Sequence, residues 1–152
     1  MELHPVTEHN WNALIKLKVR DDQSRLVASN LYSIAESQFG FEDEGRWKFY
    51  PFGAYEGEDP VGFVMYALNP NHSRFQAFVI RLMVDQRFQG RGYGREIMYL
   101  VLKSFRKDEQ IRNVGISYEP ANEVARKLYA SLGFIEPGEM MEDETLALLN
   151  LR

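Results

Sequence analysis

Three glycines alternate with larger residues in Val84-Asp85-Gln86-Arg87-Phe88-Gln89-Gly90-Arg91-Gly92-Tyr93-Gly94-Arg95, which joins a β-branched run to an amphipathic one. That spacing suits one kind of chemistry. Glycine allows a positive φ and lets the backbone approach a ligand with no Cβ in the way. The first amides of a helix, at the positive end of its dipole, suit phosphate oxygens. Arg91 and Arg95 add positive charge beside them. Two other phosphate motifs do not fit. A dinucleotide loop needs G-x-G-x-x-G and an acid in the following strand, and a P-loop needs Gly-Lys-Ser/Thr. On glycine spacing alone, a tight strand-to-helix connection without a ligand stays open.

The flanking elements must place this loop. Residues 2–7 read as a first strand. Asn10 is expected to cap a helix through Trp11, Leu14, Ile15, Leu17 and Val19, and a second helix is expected from Ser24 to Phe39, ended by Gly40. Phe41 to Lys48 reads as a polar loop. Phe52–Tyr55 and Val61–Ala67 flank a turn cluster at 56–60 and predict a hairpin. Asn69 to His72 is a second turn, and Phe75 to Val84 a strand. Ile97, Met98, Val101, Leu102 and Phe105 mark the helix after the glycine loop. Ile111 to Tyr118 reads as a strand and Ala121 to Leu132 as a helix stopped by Gly133. Phe134–Pro137 and Thr145–Leu151 are the last strand candidates. The order β-α-α-β-β-β-α-β-α-β-β predicts an α/β chain with a mixed sheet and helices on its faces.

Composition narrows the classes. The 152 residues match one domain, 1–152, and 45% apolar content is enough for a core. The absence of cysteine removes disulfides, thiolate metal sites and a cysteine nucleophile, and fits a reducing, cytoplasmic location. The first residues lack a basic-then-apolar leader, and no apolar run approaches the roughly 20 residues of a membrane span. A net charge of −4 argues against nucleic-acid partners and suits a cationic ligand.

Gln89-Gly90-Arg91-Gly92-Tyr93-Gly94 resembles the Q/R-x-x-G-x-G/A signature of the GNAT acetyltransferase superfamily. Leu82-Met83-Val84 resembles the end of that family's fourth strand. Asn122 followed by Tyr129 and Leu132-Gly133-Phe134 resembles its second hallmark region. The resemblance implies a mixed, mostly antiparallel sheet of six to seven strands with about four helices. It also implies acetyl-CoA as co-substrate, with no metal. The amides of 89–95 would hold the pyrophosphate, Leu82, Met83 and Val84 would line the pantetheine arm, and Asn122 would bond its amide. Tyr129 would be the acid that protonates the leaving thiolate. Seven residues part it from Asn122, close to two helical turns, so both are expected on one helix face. The alternative for Tyr129 is packing with Val124, Ala125 and Leu128. Arg126 and Lys127 are candidates for the CoA phosphates, or else solvated surface.

Alkylamines have pKa values near that of lysine, about 10, so the acceptor must be deprotonated. Glu36 and Glu119 are the candidate bases. Segments 23–36, 61–66 and 80–85 resemble bacterial diamine and spermine/spermidine acetyltransferases. By that resemblance Tyr32, Glu36 and Tyr66 would meet a cationic chain. Ile80-Arg81 departs from the pattern, because some polyamine enzymes carry acids there. Arg81 would then pair with an acidic side chain or bind an acidic acceptor. The expected partners are a small-molecule amine and a second copy of the chain in a homodimer, by analogy. A different acceptor (a protein N-terminus, an amino acid or an aminoglycoside) and a non-catalytic acyl-CoA sensor remain as alternatives.

Overall fold

A computed structural model describes residues 1–152. Eight strands form one sheet: β1 (Glu2–Pro5), β2 (Phe41–Glu42), β3 (Arg46–Glu56), β4 (Asp59–Leu68), β5 (Ala77–Val84), β6 (Asn113–Tyr118), β7 (Met140–Met141) and β8 (Glu144–Asn150). Their order is β1-β3-β4-β5-β6-β8-β7, with β2 paired to β3. All neighbours are antiparallel except β5 and β6. Four helices cover it: α1 (Trp11–Leu14), α2 (Asn30–Glu36), α3 (Tyr93–Arg106) and α4 (Glu123–Ser131).

The main core lies under α3. Ile97, Met98, Val101, Leu102 and Phe105 are all buried, and their spacing forms one stripe along the helix. They pack with Val61, Val64, Val79, Val114 and Ile116 of the central strands. A smaller cluster on the opposite face joins Leu14 and Leu17 to Phe63, Met65 and Met83.

Several boundaries differ from the sequence expectation, each for a local reason. Asn10 does not cap α1. Its Oδ1 accepts from the Thr7 N–H at 2.8 Å and its Nδ2 donates to Pro5 O at 2.9 Å, so α1 is one short turn. The second helix begins only after Ser29, whose hydroxyl accepts from the Tyr32 N–H, leaving residues 24–28 outside it. Within the expected polar loop 41–48, Glu44 and Gly45 take positive φ of 55° and 119°. This turns the chain so that Phe41 pairs with Trp47 in β2–β3. Of Phe134–Pro137, only Ile135 bridges to Leu148. The very short β2 and β7 bring the strand number to eight.

The feature that positions the site is a divergence. β5 and β6 pair only at Ala77–Val79 with Val114–Ile116. Against β4, Met65 faces Arg81 while Tyr66 faces Val79, so Ile80 is an extra residue in β5. A bulge of this kind bends its strand, and beyond it Ile80–Val84 part from β6. The end of β5 is then pinned. Asp85, almost fully buried, donates its N–H to Val61 O, and its carboxylate accepts from the Lys18 N–H (3.1 Å), the Arg87 N–H (3.0 Å) and Arg87 Nε (2.8 Å).

Truncation of Phe105, which meets the Tyr66 ring edge-on at 4.8 Å, is expected to cost about 3–5 kcal/mol in urea unfolding. Burial pushes the Asp85 carboxyl up, but the bonds from Arg87 and Lys18 outweigh it and hold its pKa below the ordinary value. Its contribution is therefore present above the unfolded value of about 3.9 and fades as the pH falls through the lower folded value. Asp85→Asn should destabilise by about 1–3 kcal/mol at neutral pH. The gap to the unmodified chain, measured by urea unfolding across an acid series, should narrow only below about pH 4.

Candidate active site

Where β5 and β6 part, a cleft of about 1280 Å³ opens. Its walls come from residues 19–28, the end of β5, the glycine loop, the end of β6 with the start of α4, and the turn between β7 and β8.

The glycine loop forms one end. Gln89 Nε2 donates to Val84 O at 3.0 Å and to Gln23 Oε1 at 2.9 Å, tying the loop to both sides of the cleft. Gly90 and Gly92 have φ of 79° and 82°, left-handed values that cost a side chain roughly 1 kcal/mol or more. Gly92 is also the residue at which α3 begins. Between Gln89 and Arg95 no main-chain N–H donates to any acceptor of the chain. A run of bare donors at the positive end of a fourteen-residue helix has the features that suit an anion. Gly94 differs from its neighbours: a Cβ there would meet only Leu128 and Val84 at ordinary contact distances.

Gln89, Gly90, Gly92, Tyr93, Gly94 and Arg95 all line the cleft. Arg91 is not in its wall; the guanidinium lies over the Phe88 ring at 5.5 Å. Arg95 donates to Ser131 Oγ at the end of α4. Leu82, Met83 and Val84 form the β5 wall.

Asn122 and Tyr129 both reach the cleft, although not as two positions on one helix. Asn122 stands just outside α4 as its cap, with Oδ1 accepting from the Ala125 N–H at 3.1 Å. Its Nδ2 has no partner in the chain. The Tyr129 ring is buried between Tyr118 and Phe134, and its hydroxyl makes no hydrogen bond within the protein. Burial first, then the neighbouring Tyr118 and Glu144, push its pKa far above the ordinary value. Burial therefore favours the protonated, neutral hydroxyl. Tyr118 donates to Glu136 at 2.5 Å; burial and that bond raise its pKa to about 12. Arg126 is held by Glu123, Glu136 and Pro120 O, so it is not free for a phosphate. Lys127 is exposed and outside the cleft wall.

The acceptor residues read from sequence are only partly gathered here. Glu119 lines the cleft. Tyr66 does not: it follows Met65 in β4, so it faces α3 and stacks on Phe52 and Tyr50. Tyr32 is 59% exposed on α2, outside the cleft wall. Glu36 also lies outside it and pairs with Arg81, which is in the wall, at 3.4 Å. Three further residues in the wall went unread: Ser117, Glu142 and Glu144, with Ser117 Oγ donating to Glu144 at 2.8 Å. The acidic run Glu142-Asp143-Glu144 was visible, but only the β7–β8 pairing turns it toward the cleft.

One other cluster has the residue types of a metal site. Asp43, Glu44 and buried His72 place their ligand atoms within 4.8 Å of one another. His72 Nδ1 accepts from the Arg74 and Phe75 N–H groups at 3.2 Å each. Its hydrogen therefore sits on Nε2, which lies 3.4 Å from Asp43 and 3.1 Å from Glu44. That is a loop clamp, with no imidazole lone pair left for a cation.

Comparison with known proteins agrees with this geometry. Over 145 residues the chain is 27% identical to a spermine/spermidine N(1)-acetyltransferase of Bacillus subtilis, covering 92% of this chain and 91% of that protein. Its fold matches a spermidine N-acetyltransferase from Vibrio cholerae, solved with CoA and spermine, at a TM-score of 0.72. That match has 14% identity and covers 99% and 95% of the two chains. An aminoglycoside acetyltransferase in complex with coenzyme A matches at 0.74, with 13% identity and coverage of 97% and 93%. The model of the acetyltransferase (GNAT) family matches residues 11–134, and the chain belongs to that family.

Proposed function

We propose that this acetyl-CoA-dependent N-acetyltransferase acts on a diamine or polyamine, by direct attack of a primary amine in a ternary complex. The observation that carries the reading is the run of unpaired amides at 89–95, opening into a cleft that has Tyr129 in its wall. Such donors fit a diphosphate. The parted strands leave Leu82–Val84 edges to bond a pantetheine arm, and the Asn122 Nδ2 is available to its amide.

The amine nitrogen attacks the thioester carbon, the new C–N bond forms, and the C–S bond breaks with its electron pair on sulfur. Tyr129 donates a hydrogen bond to that sulfur as charge develops there. Because its pKa is raised, Tyr129 acts as a neutral donor; the proton that ends on the thiol is replaced, in balance, by the one the attacking nitrogen loses. Glu119, in the cleft wall, is the carboxylate of this reading that receives through water the proton the ammonium sheds before attack; the second nitrogen proton, lost as the amide forms, is the one that restores Tyr129. Glu36 is outside the wall and already paired. Glu119, Glu142 and Glu144 offer carboxylates to a cationic acceptor in a wall that also holds Arg20, Arg25, Arg81 and Arg95, and the names of the sequence relatives favour polyamine acceptors.

Tyr129→Phe should lower kcat about a hundredfold in a thiol-release assay, the scale of one general-acid contact, with CoA affinity nearly unchanged. Gly92→Ala should weaken CoA binding about tenfold or more in calorimetry, since it strains the one turn that aims the amides. Gly94→Ala, with room for its Cβ, should change it far less. Equal effects of the two glycine changes would remove the cradle from the account.

A further inference from the structure

Among all wholly buried side-chain nitrogen and oxygen atoms, one alone lacks a hydrogen-bond partner: Arg81 Nε. The rest of this guanidinium is held by one good bond to the backbone and one long contact to a carboxylate. Nη1 donates to Ile80 O at 2.9 Å, and Nη2 reaches Glu36 Oε1 only at 3.4 Å. Charge-assisted N–H···O bonds of good geometry are about 2.7–2.9 Å. The bulge explains the placement, because the extra residue at Ile80 turns Arg81 into the cleft wall. Glu36, in the last turn of α2, does not line the cleft. The cation thus stands in the wall and the carboxylate behind it.

We infer that Arg81 is a displaceable internal cation that sets acceptor specificity: it occupies Glu36 until the second ammonium of a bound diamine or polyamine takes its place. The inference rests on the polyamine reading above and adds the residue that selects within it. The exchange conserves charge, since Glu36 trades one cation for another. On leaving, an arginine parked with one donor unsatisfied and a long bond to its carboxylate gives up chiefly its bond to Ile80 O, and its Nε gains access to water. A monoamine has no second ammonium to make the exchange. The parked state lowers apparent affinity in proportion to its population, so Arg81 is a specificity-determining residue that works by competition.

Steady-state kinetics with a short linear diamine and the monoamine of equal length test this. Arg81→Gln should lower the diamine KM about tenfold and shift the monoamine KM by less than about twofold. Arg81→Lys keeps the charge but loses the grip on Ile80 O, and should move the diamine KM less, in the same direction. Glu36→Gln should raise the diamine KM, and in the double variant it should cancel the gain from Arg81→Gln. A higher diamine KM in Arg81→Gln would overturn the inference, as would equal shifts for both amines or a gain that survives Glu36→Gln. If the unmodified chain releases no thiol with any diamine, the polyamine reading itself fails, and this inference with it.

Discussion

A main-chain N–H without an acceptor is tolerated only where water or a ligand can reach it. Between Gln89 and Arg95 the chain leaves a whole run of such groups bare, and much of the surrounding structure exists to hold them so. Asp85 nails the end of β5 to Lys18 and Arg87. Gln89 ties the loop across to Gln23. Gly90 and Gly92 supply the left-handed turns of the loop, and α3 adds its dipole. The buried stripe of α3 fixes that helix against the sheet, so core packing and ligand geometry are joined through one element.

The second constraint is the parting of β5 from β6. A parallel pair that stayed zipped would close the cleft and satisfy its own backbone. The extra residue at Ile80 prevents this, and the same bulge carries Arg81 into the wall. One backbone irregularity therefore opens the cleft and places a cation in its wall. Tyr129 shows the complementary strategy: its ring is buried, its hydroxyl has no partner in the chain, and burial holds its pKa above the ordinary value at the cleft wall.

Much of this was legible in the residues, and the failures have physical causes. The glycine loop and α3 were readable because glycine spacing and helical periodicity are local signals; Asn122 and Tyr129 were read as one helix face, whereas Asn122 is the cap just outside α4. The acceptor side was not, because it depends on long-range pairing. Tyr66 looked available until the β4 alternation placed it under α3. Glu142 and Glu144 carry no local signal of a site; the β7–β8 pairing alone places them in the cleft wall. Glu36 looked free until the bulge brought Arg81 to it. The 24–28 segment read as helix from its apolar content, but the Ser29 cap starts α2 beyond it and leaves 24–28 to line the cleft.

The amides themselves can be watched. In an NMR titration of the assigned protein with coenzyme A, the N–H protons of residues 89–95 should move strongly downfield and become slow to exchange with water, as they gain phosphate acceptors. If coenzyme A saturates the protein while the signals of Gly90, Gly92 and Gly94 stay where they were, the cradle is not the binding site and the account is wrong at its foundation.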